Sequence, residues 1–87
     1  MPVLSRFLGI VIAMYFKDHN PPHFHAKYGG NEATVNIDSG EIDGYLPPRV
    51  SLLVQEWRLS HRDELHLAWR ACQGEDGIDL KPIAPLE

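Results

Sequence analysis

Two consecutive glycines, Gly29 and Gly30, most constrain what this chain can fold into. Such a pair suits a two-residue turn that needs positive φ, so it predicts a β-hairpin over residues 23–37. Opposed positions then sum to 59, and every opposed pair matches in polarity, whereas a slip of one residue would mix the two faces. The apolar pairs are Phe24–Val35 and Ala26–Ala33, and the polar pairs are His23–Asn36, His25–Thr34 and Lys27–Glu32.

An apolar segment at residues 8–16 predicts a strand before the hairpin. Because it has no polar face and is rich in β-branched residues, we expect a central strand covered on both sides. Two prolines in residues 17–22 predict a loop between this strand and the hairpin. A second turn, at residues 38–41, should pair Ile37 with Ile42 and start a short further strand.

Apolar residues at helical spacing predict a helical part over residues 47–73. Ser60 followed by Asp63 resembles an N-cap signal, so this part is either one long helix or two shorter helices with a break near Ser60. Gly74 ends the helical part, and the Pro-rich residues 74–87 form an extended tail.

The fold class that follows is α+β, in a single domain over residues 1–87. Residues 1–45 form an antiparallel β-meander of three to four strands, which contains the His-rich hairpin, and the helices pack on one sheet face. We expect the core to include Phe16, Phe24, Tyr28, Trp57, Trp69 and the lone Cys72.

The composition excludes several classes of protein. A single cysteine cannot form an internal disulfide framework, and no apolar run approaches the ~20 residues of a membrane-spanning helix. The N-terminus lacks the pattern of a secretory signal. The expectation is a reduced, cytoplasmic protein that is not associated with a membrane.

The net charge of −4 is unevenly distributed along the chain. Residues 1–37 contain three Lys and Arg against two Asp and Glu, while residues 38–87 contain five against ten. An anionic partner should therefore meet the N-terminal half, and we expect the acidic residues to lie on the back of the molecule, away from the hairpin.

The sharpest functional feature is the segment Asp-His-Asn-Pro-Pro-His-Phe-His at residues 18–25. In a strand, His23 and His25 point to the same face, roughly 7 Å apart. Asp18 and His19 lie on the loop that leads into this strand. Lys27 continues the row of the two histidines.

Four interpretations of this segment stay open, one of which is a peptide- or protein-binding surface. His19, His23 and His25 are candidate acid–base catalysts on RNA or a nucleotide phosphate, with Lys27 offsetting the developing charge. The same three histidines, or His23 and His25 with Asp18, are also candidate ligands of a divalent metal, the one cofactor the sequence suggests. Alternatively, the segment is an ordinary solvated face on which His25 bonds to Thr34 and His23 to Asn36.

A weaker feature is a row of basic residues at helical spacing: Arg58, Arg62, His66 and Arg70. In one unbroken helix they would form a stripe able to follow phosphates, but neighbouring acidic residues favour a solvated helix face. Arg49, at the helix start, is a further candidate anion contact.

The chain resembles the small bacterial proteins of domain-of-unknown-function family 4160. The resemblance rests on residues 18–26, together with Pro2-Val3-Leu4-Ser5-Arg6-Phe7, Gly9-Ile10-Val11-Ile12-Ala13-Met14, Leu46-Pro47-Pro48-Arg49, Glu56-Trp57, His61-Arg62-Asp63-Glu64-Leu65, Trp69 and Lys81-Pro82-Ile83. One departure is Ala13, where relatives often carry a basic residue that this chain therefore lacks.

The resemblance implies a bacterial protein with a cognate partner encoded by a neighbouring gene, in an arrangement like a toxin–antitoxin pair. It implies a site at Asp18, His19, His23 and His25, with Arg49, His61 and Arg62 as partner- or anion-binding support. Two classes of function follow: a toxin-like enzyme acting on RNA or a nucleotide, or a non-enzymatic regulatory module that docks its partner on the hairpin face.

Overall fold

The computed structural model describes residues 2–87, which form a five-stranded antiparallel meander followed by two helices. The elements are β1 (Val3–Phe7), β2 (Ile10–Ala13), β3 (His23–Tyr28), β4 (Asn31–Asn36), β5 (Ile42–Gly44), α1 (Pro48–Ser60) and α2 (Arg62–Cys72). The α+β prediction is confirmed, with one strand more than expected. Neither helix is long and apolar enough to cross a bilayer.

The additional strand is β1, which precedes the apolar segment at residues 8–16, and that segment forms a strand only over residues 10–13, as β2. Leu8 and Gly9 both have positive φ and form the turn between β1 and β2. Leucine is uncommon at a position with positive φ, so the sequence pattern did not predict a turn here. The chain leaves the sheet after Ala13, and the prediction of Phe16 as a core residue is wrong because its surface is 61% exposed.

The hairpin of β3 and β4 has the predicted register in all five pairs, from His23 opposite Asn36 to Lys27 opposite Glu32. The predicted pair Ile37–Ile42 is wrong, since Ile42 lies opposite Val35. The turn before β5 is wider than expected, because it closes at Asn36. The backbone carbonyl of Asn36 accepts the Gly40 N–H, and the backbone N–H of Asn36 donates to the Glu41 carbonyl.

The helical part consists of two helices that meet at His61. The predicted N-cap at Ser60 is wrong. Ser60 is the last residue of α1, and its hydroxyl donates back to the Glu56 carbonyl, a local bond that serine often makes within helices.

The core lies between the helices and one face of the sheet, around the fully buried Trp57. Its ring packs 5.6 Å from Phe7 and 5.7 Å from Phe24, measured between centroids. The indole N–H donates to the Ala84 carbonyl, which fastens the C-terminal tail over the core. The helices therefore cover one face of the sheet and leave the face of His25 and Thr34 uncovered.

Candidate functional site

The loop between β2 and β3 carries Asp18 to the start of β3, and the C-terminal end of α2 holds it there. The backbone N–H of Lys17 donates to the Cys72 carbonyl at 2.9 Å. The side-chain amide of Gln73 donates to the Asp18 carbonyl at 3.0 Å. The position of Asp18 is thus set by a helix that is distant in the sequence.

The Asp18 carboxylate is the centre of the site. Its Oδ2 lies 2.9 Å from His23 Nε2 and 3.4 Å from His25 Nε2, and its Oδ1 accepts the backbone N–H of His19 at 2.9 Å. Burial raises the pKa of Asp18, but these hydrogen bonds and the proximity of His23 outweigh it, so the pKa lies below the ordinary value of 3.8. The site therefore contains an ionised carboxylate at neutral pH.

Each of the two strand histidines has an oxygen at both ring nitrogens. His23 Nδ1 lies 2.7 Å from the Pro21 carbonyl oxygen, and His25 Nδ1 lies 3.3 Å from Glu32 Oε2. The expected bonds of His23 to Asn36 and of His25 to Thr34 are not among those formed by these rings. The Pro21 carbonyl and the Glu32 carboxylate contact the Nδ1 atoms, so the Nε2 atoms of both rings face the Asp18 carboxylate.

Asp18, His23 and His25 form a compact set of potential metal ligands, which we call the triad. One donor atom from each lies within 4.8 Å of the other two. Both histidines are mostly buried, with 9% and 12% of their side chains exposed. His19 lies outside the triad: its side chain is 86% exposed, and its ring centroid is 5.6 Å from that of His23.

Aromatic side chains form the walls of the site. The Tyr15 ring meets His25 edge-on, with 4.3 Å between centroids, and Trp69 lies 5.3 Å from His23 on the core side. Lys27 continues the histidine row as predicted, but its ammonium group lies 3.8 Å from the Glu32 carboxylate.

The triad opens into a cleft of about 510 Å³ on the uncovered face of the sheet. Its lining comprises the triad, Tyr15, His19, Pro21, Thr34, Asn36, Glu41 and Asp43. The expectation that the acidic residues lie behind the molecule is thus wrong for Glu41 and Asp43. The meander places β5 beside β4, which brings both carboxylates to the cleft, and counting charge along the chain could not detect this.

The predicted supporting residues lie elsewhere. Arg62 pairs with Asp38 at 3.1 Å, and His61 lies 2.6 Å from a Glu64 carboxylate oxygen. Arg49 lies in the first turn of α1. None of these three lines the cleft.

The basic row of the helices is not a stripe. Arg58 is 94% buried and donates to the Ile37 and Asp38 carbonyls, while Arg70 pairs with Glu75. The alternative of a phosphate-following stripe is not realised, because the helix breaks at His61 and Arg58 points into the protein. The favoured solvated face is right for Arg62 and Arg70 and wrong for Arg58.

Sequence reasoning missed three residues that shape the site: Glu32, Glu41 and Gln73. Glu32 was detectable, because the hairpin register places it two residues from Thr34, the partner of His25, and therefore on the same face of the sheet. Gln73 carries no such signal, since its contact with Asp18 depends on the packing of α2 against the loop.

Comparison with protein families supports the resemblance drawn from the sequence. A family model described as "Domain of unknown function (DUF4160)" matches residues 9–70, which include the whole triad and α1. Neither a curated protein nor a solved structure matches the chain.

Proposed function

The chain belongs to the DUF4160 family, and we propose that it binds one divalent transition-metal ion through Asp18, His23 and His25. The observation that carries this proposal is the convergence of two mostly buried imidazole Nε2 atoms on one carboxylate oxygen.

Hydrogen-bond accounting supports a cation between these three side chains. A neutral imidazole has one N–H, yet both rings have an oxygen at each nitrogen, so the second nitrogen of each ring needs either a further proton or a metal ion. A metal ion at Nε2 leaves Nδ1–H to donate to the Pro21 carbonyl or to Glu32. This is the arrangement that usually orients metal-binding histidines.

The distances also suit metal ligands. Two ligand atoms on a tetrahedral ion with bonds of ~2.1 Å lie about 3.4 Å apart. The separation of His25 Nε2 from Asp18 Oδ2 is 3.4 Å, which is long for a hydrogen bond, and that of His23 Nε2 is 2.9 Å. Small side-chain movements would therefore accommodate the ion.

Three protein ligands leave at least one coordination position open toward the cleft. Structural zinc sites usually close all four positions with protein ligands, whereas catalytic sites keep one for water or substrate. Two histidines and one carboxylate suit zinc, manganese or ferrous iron. Such an ion, when bound, acts as a Lewis acid and activates water.

Direct acid–base action of the histidines on an RNA or nucleotide phosphate has weaker support. Three carboxylates line the cleft, and Lys27 is close to Glu32 rather than among the lining residues. A phosphate would meet net repulsion there unless a metal ion offset it.

The toxin–antitoxin role, the cognate partner and the cytoplasmic location rest on the family resemblance and the sequence, and they stay predictions. Co-purification with the product of the neighbouring gene is the direct test of the pairing.

Calorimetric titration of the metal-stripped protein with Zn²⁺ and Mn²⁺ tests the metal proposal. We expect one ion per chain, with affinity lowered at least about tenfold in His25→Ala. His66→Ala is the matched control, because it removes a histidine that pairs with Asp38 and does not line the cleft. Absence of binding, or equal affinity of the two variants, would contradict the proposal.

A further inference from the structure

The cleft around the triad contains two carboxylates in addition to that of Asp18. Glu41 and Asp43 line it, and neither forms an ion pair with any residue of the described chain, 2–87. No lysine or arginine is among its lining residues. With neutral histidines, the three lining carboxylates give a formal charge of −3, which one divalent ion reduces to −1.

This charge distribution separates two kinds of ligand. A phosphate or other dianion that reached the open metal position would also approach two unpaired carboxylates, and like charges at close range disfavour binding. An ammonium group would instead form charge-assisted hydrogen bonds with the same carboxylates.

The positions of the triad and of Asp43 in the sheet favour a ligand with an oxygen donor at one end and an ammonium group at the other. Asp43 lies opposite Thr34 on β4, and Thr34 lies opposite His25 on β3, so one cross-strand row leads from the triad to the acidic edge. Neighbouring strands are ~4.8 Å apart, which places the acidic edge about 10 Å from the triad strand. A small molecule can span that distance.

We propose that the cleft takes a small primary amine that carries an oxygen donor at its other end, in the chemical class of ω-amino alcohols and ω-amino acids. This inference rests on the proposed metal site: the oxygen donor fills the open metal position, and the ammonium group faces Glu41 and Asp43. These two residues are then specificity determinants and not metal ligands.

Calorimetry on the zinc-loaded protein, with 5-amino-1-pentanol and inorganic phosphate as probes, tests the inference. We expect 5-amino-1-pentanol to bind at least about tenfold more tightly than phosphate to the wild-type protein. The double variant Glu41→Gln/Asp43→Asn should lose that preference while still binding one zinc ion per chain. The double variant Asp76→Asn/Asp79→Asn removes the same charge from the tail and should keep the preference.

The outcomes separate this inference from the metal proposal. Three results would overturn this inference alone, provided that the protein binds zinc. They are a preference for phosphate, binding of neither probe, and an unchanged preference in the Glu41→Gln/Asp43→Asn protein. A protein that binds no zinc would overturn the metal proposal and this inference with it.

Discussion

Glu32 is the residue outside the triad whose contacts most directly affect a bound metal. One of its carboxylate oxygens lies 3.3 Å from His25 Nδ1, and the other lies 3.8 Å from Lys27 Nζ. A carboxylate at Nδ1 fixes the tautomer in which Nε2 is free to bind a metal, and it increases the basicity of the ring.

We expect Glu32→Ala to weaken zinc binding by roughly 10-fold or more, because outer-shell partners of metal-binding histidines commonly contribute that much. Lys27→Ala is the control, since it breaks the same ion pair and leaves the contact with His25 intact. Calorimetric titration of both variants provides the comparison. Equal losses in the two would show that the ion pair, and not the orientation of His25, is what matters.

At this scale the sequence predicted a good part of the candidate site. Period-two alternation in a strand places His23 and His25 on one face, and proximity along the chain suggests Asp18. The orientation of the rings was not predictable, because it depends on the Pro21 carbonyl and on a cross-strand carboxylate. The sequence does not indicate that the His19 side chain is exposed, so His19 was as strong a candidate as His23 and His25.

At the scale of elements, Arg58 connects the helices to the turn before β5. Its guanidinium group donates to the Ile37 and Asp38 carbonyls at 2.9 and 3.1 Å and to Gln55 Oε1 at 2.9 Å. Gln55 in turn donates to the Gly40 carbonyl. These bonds hold residues 36–41 against α1, and so position β5 and the acidic side of the cleft.

We expect Arg58→Ala to lower the free energy of unfolding by about 3 kcal/mol, because it leaves buried carbonyl groups without donors and creates a cavity. Arg62→Ala, which removes only an exposed pair with Asp38, should cost less than about 1 kcal/mol. Urea denaturation measures both. A loss of similar size in the two variants would contradict the role assigned to Arg58.

The sequence predicted an element correctly where the polarity pattern along the chain agrees with the pairing between strands. The β3–β4 register followed from polarity alone because a slip would expose Phe24 and Val35. The β1–β2 turn was hidden because a leucine occupies a position with positive φ. The helix break at Ser60 stayed ambiguous because the Ser60 hydroxyl can either cap a new helix or bond back to the preceding one.

At the scale of the whole molecule, stability should depend on pH through carboxyl groups that are hydrogen-bonded in the folded state. Hydrogen bonds from His66 and Arg62 lower the pKa of Asp38 below its ordinary value of 3.8. A hydrogen bond from Arg70 likewise lowers the pKa of Glu75. Because the folded-state pKa is the lower one, each group stabilises the fold above its ordinary pKa, and that contribution is lost as the pH falls through the folded-state pKa.

We therefore expect the thermal midpoint to fall as the pH decreases below about 4, and to fall less steeply in Asp38→Asn. The variant should also be less stable than the wild-type protein at pH 7, where the charged contacts of Asp38 are complete. Circular dichroism melts between pH 2.5 and pH 7 measure this. A steeper acid dependence in the variant would contradict the assigned direction of the pKa shift.

Anomalous diffraction from crystals grown with Zn²⁺ tests the central claim most directly. Data collected on either side of the zinc absorption edge distinguish zinc from any other atom. The metal proposal predicts one peak per chain within ~2.2 Å of His23 Nε2, His25 Nε2 and Asp18 Oδ2. Crystals in which the triad contains no anomalous peak, while its side chains keep their mutual hydrogen bonds, would contradict it.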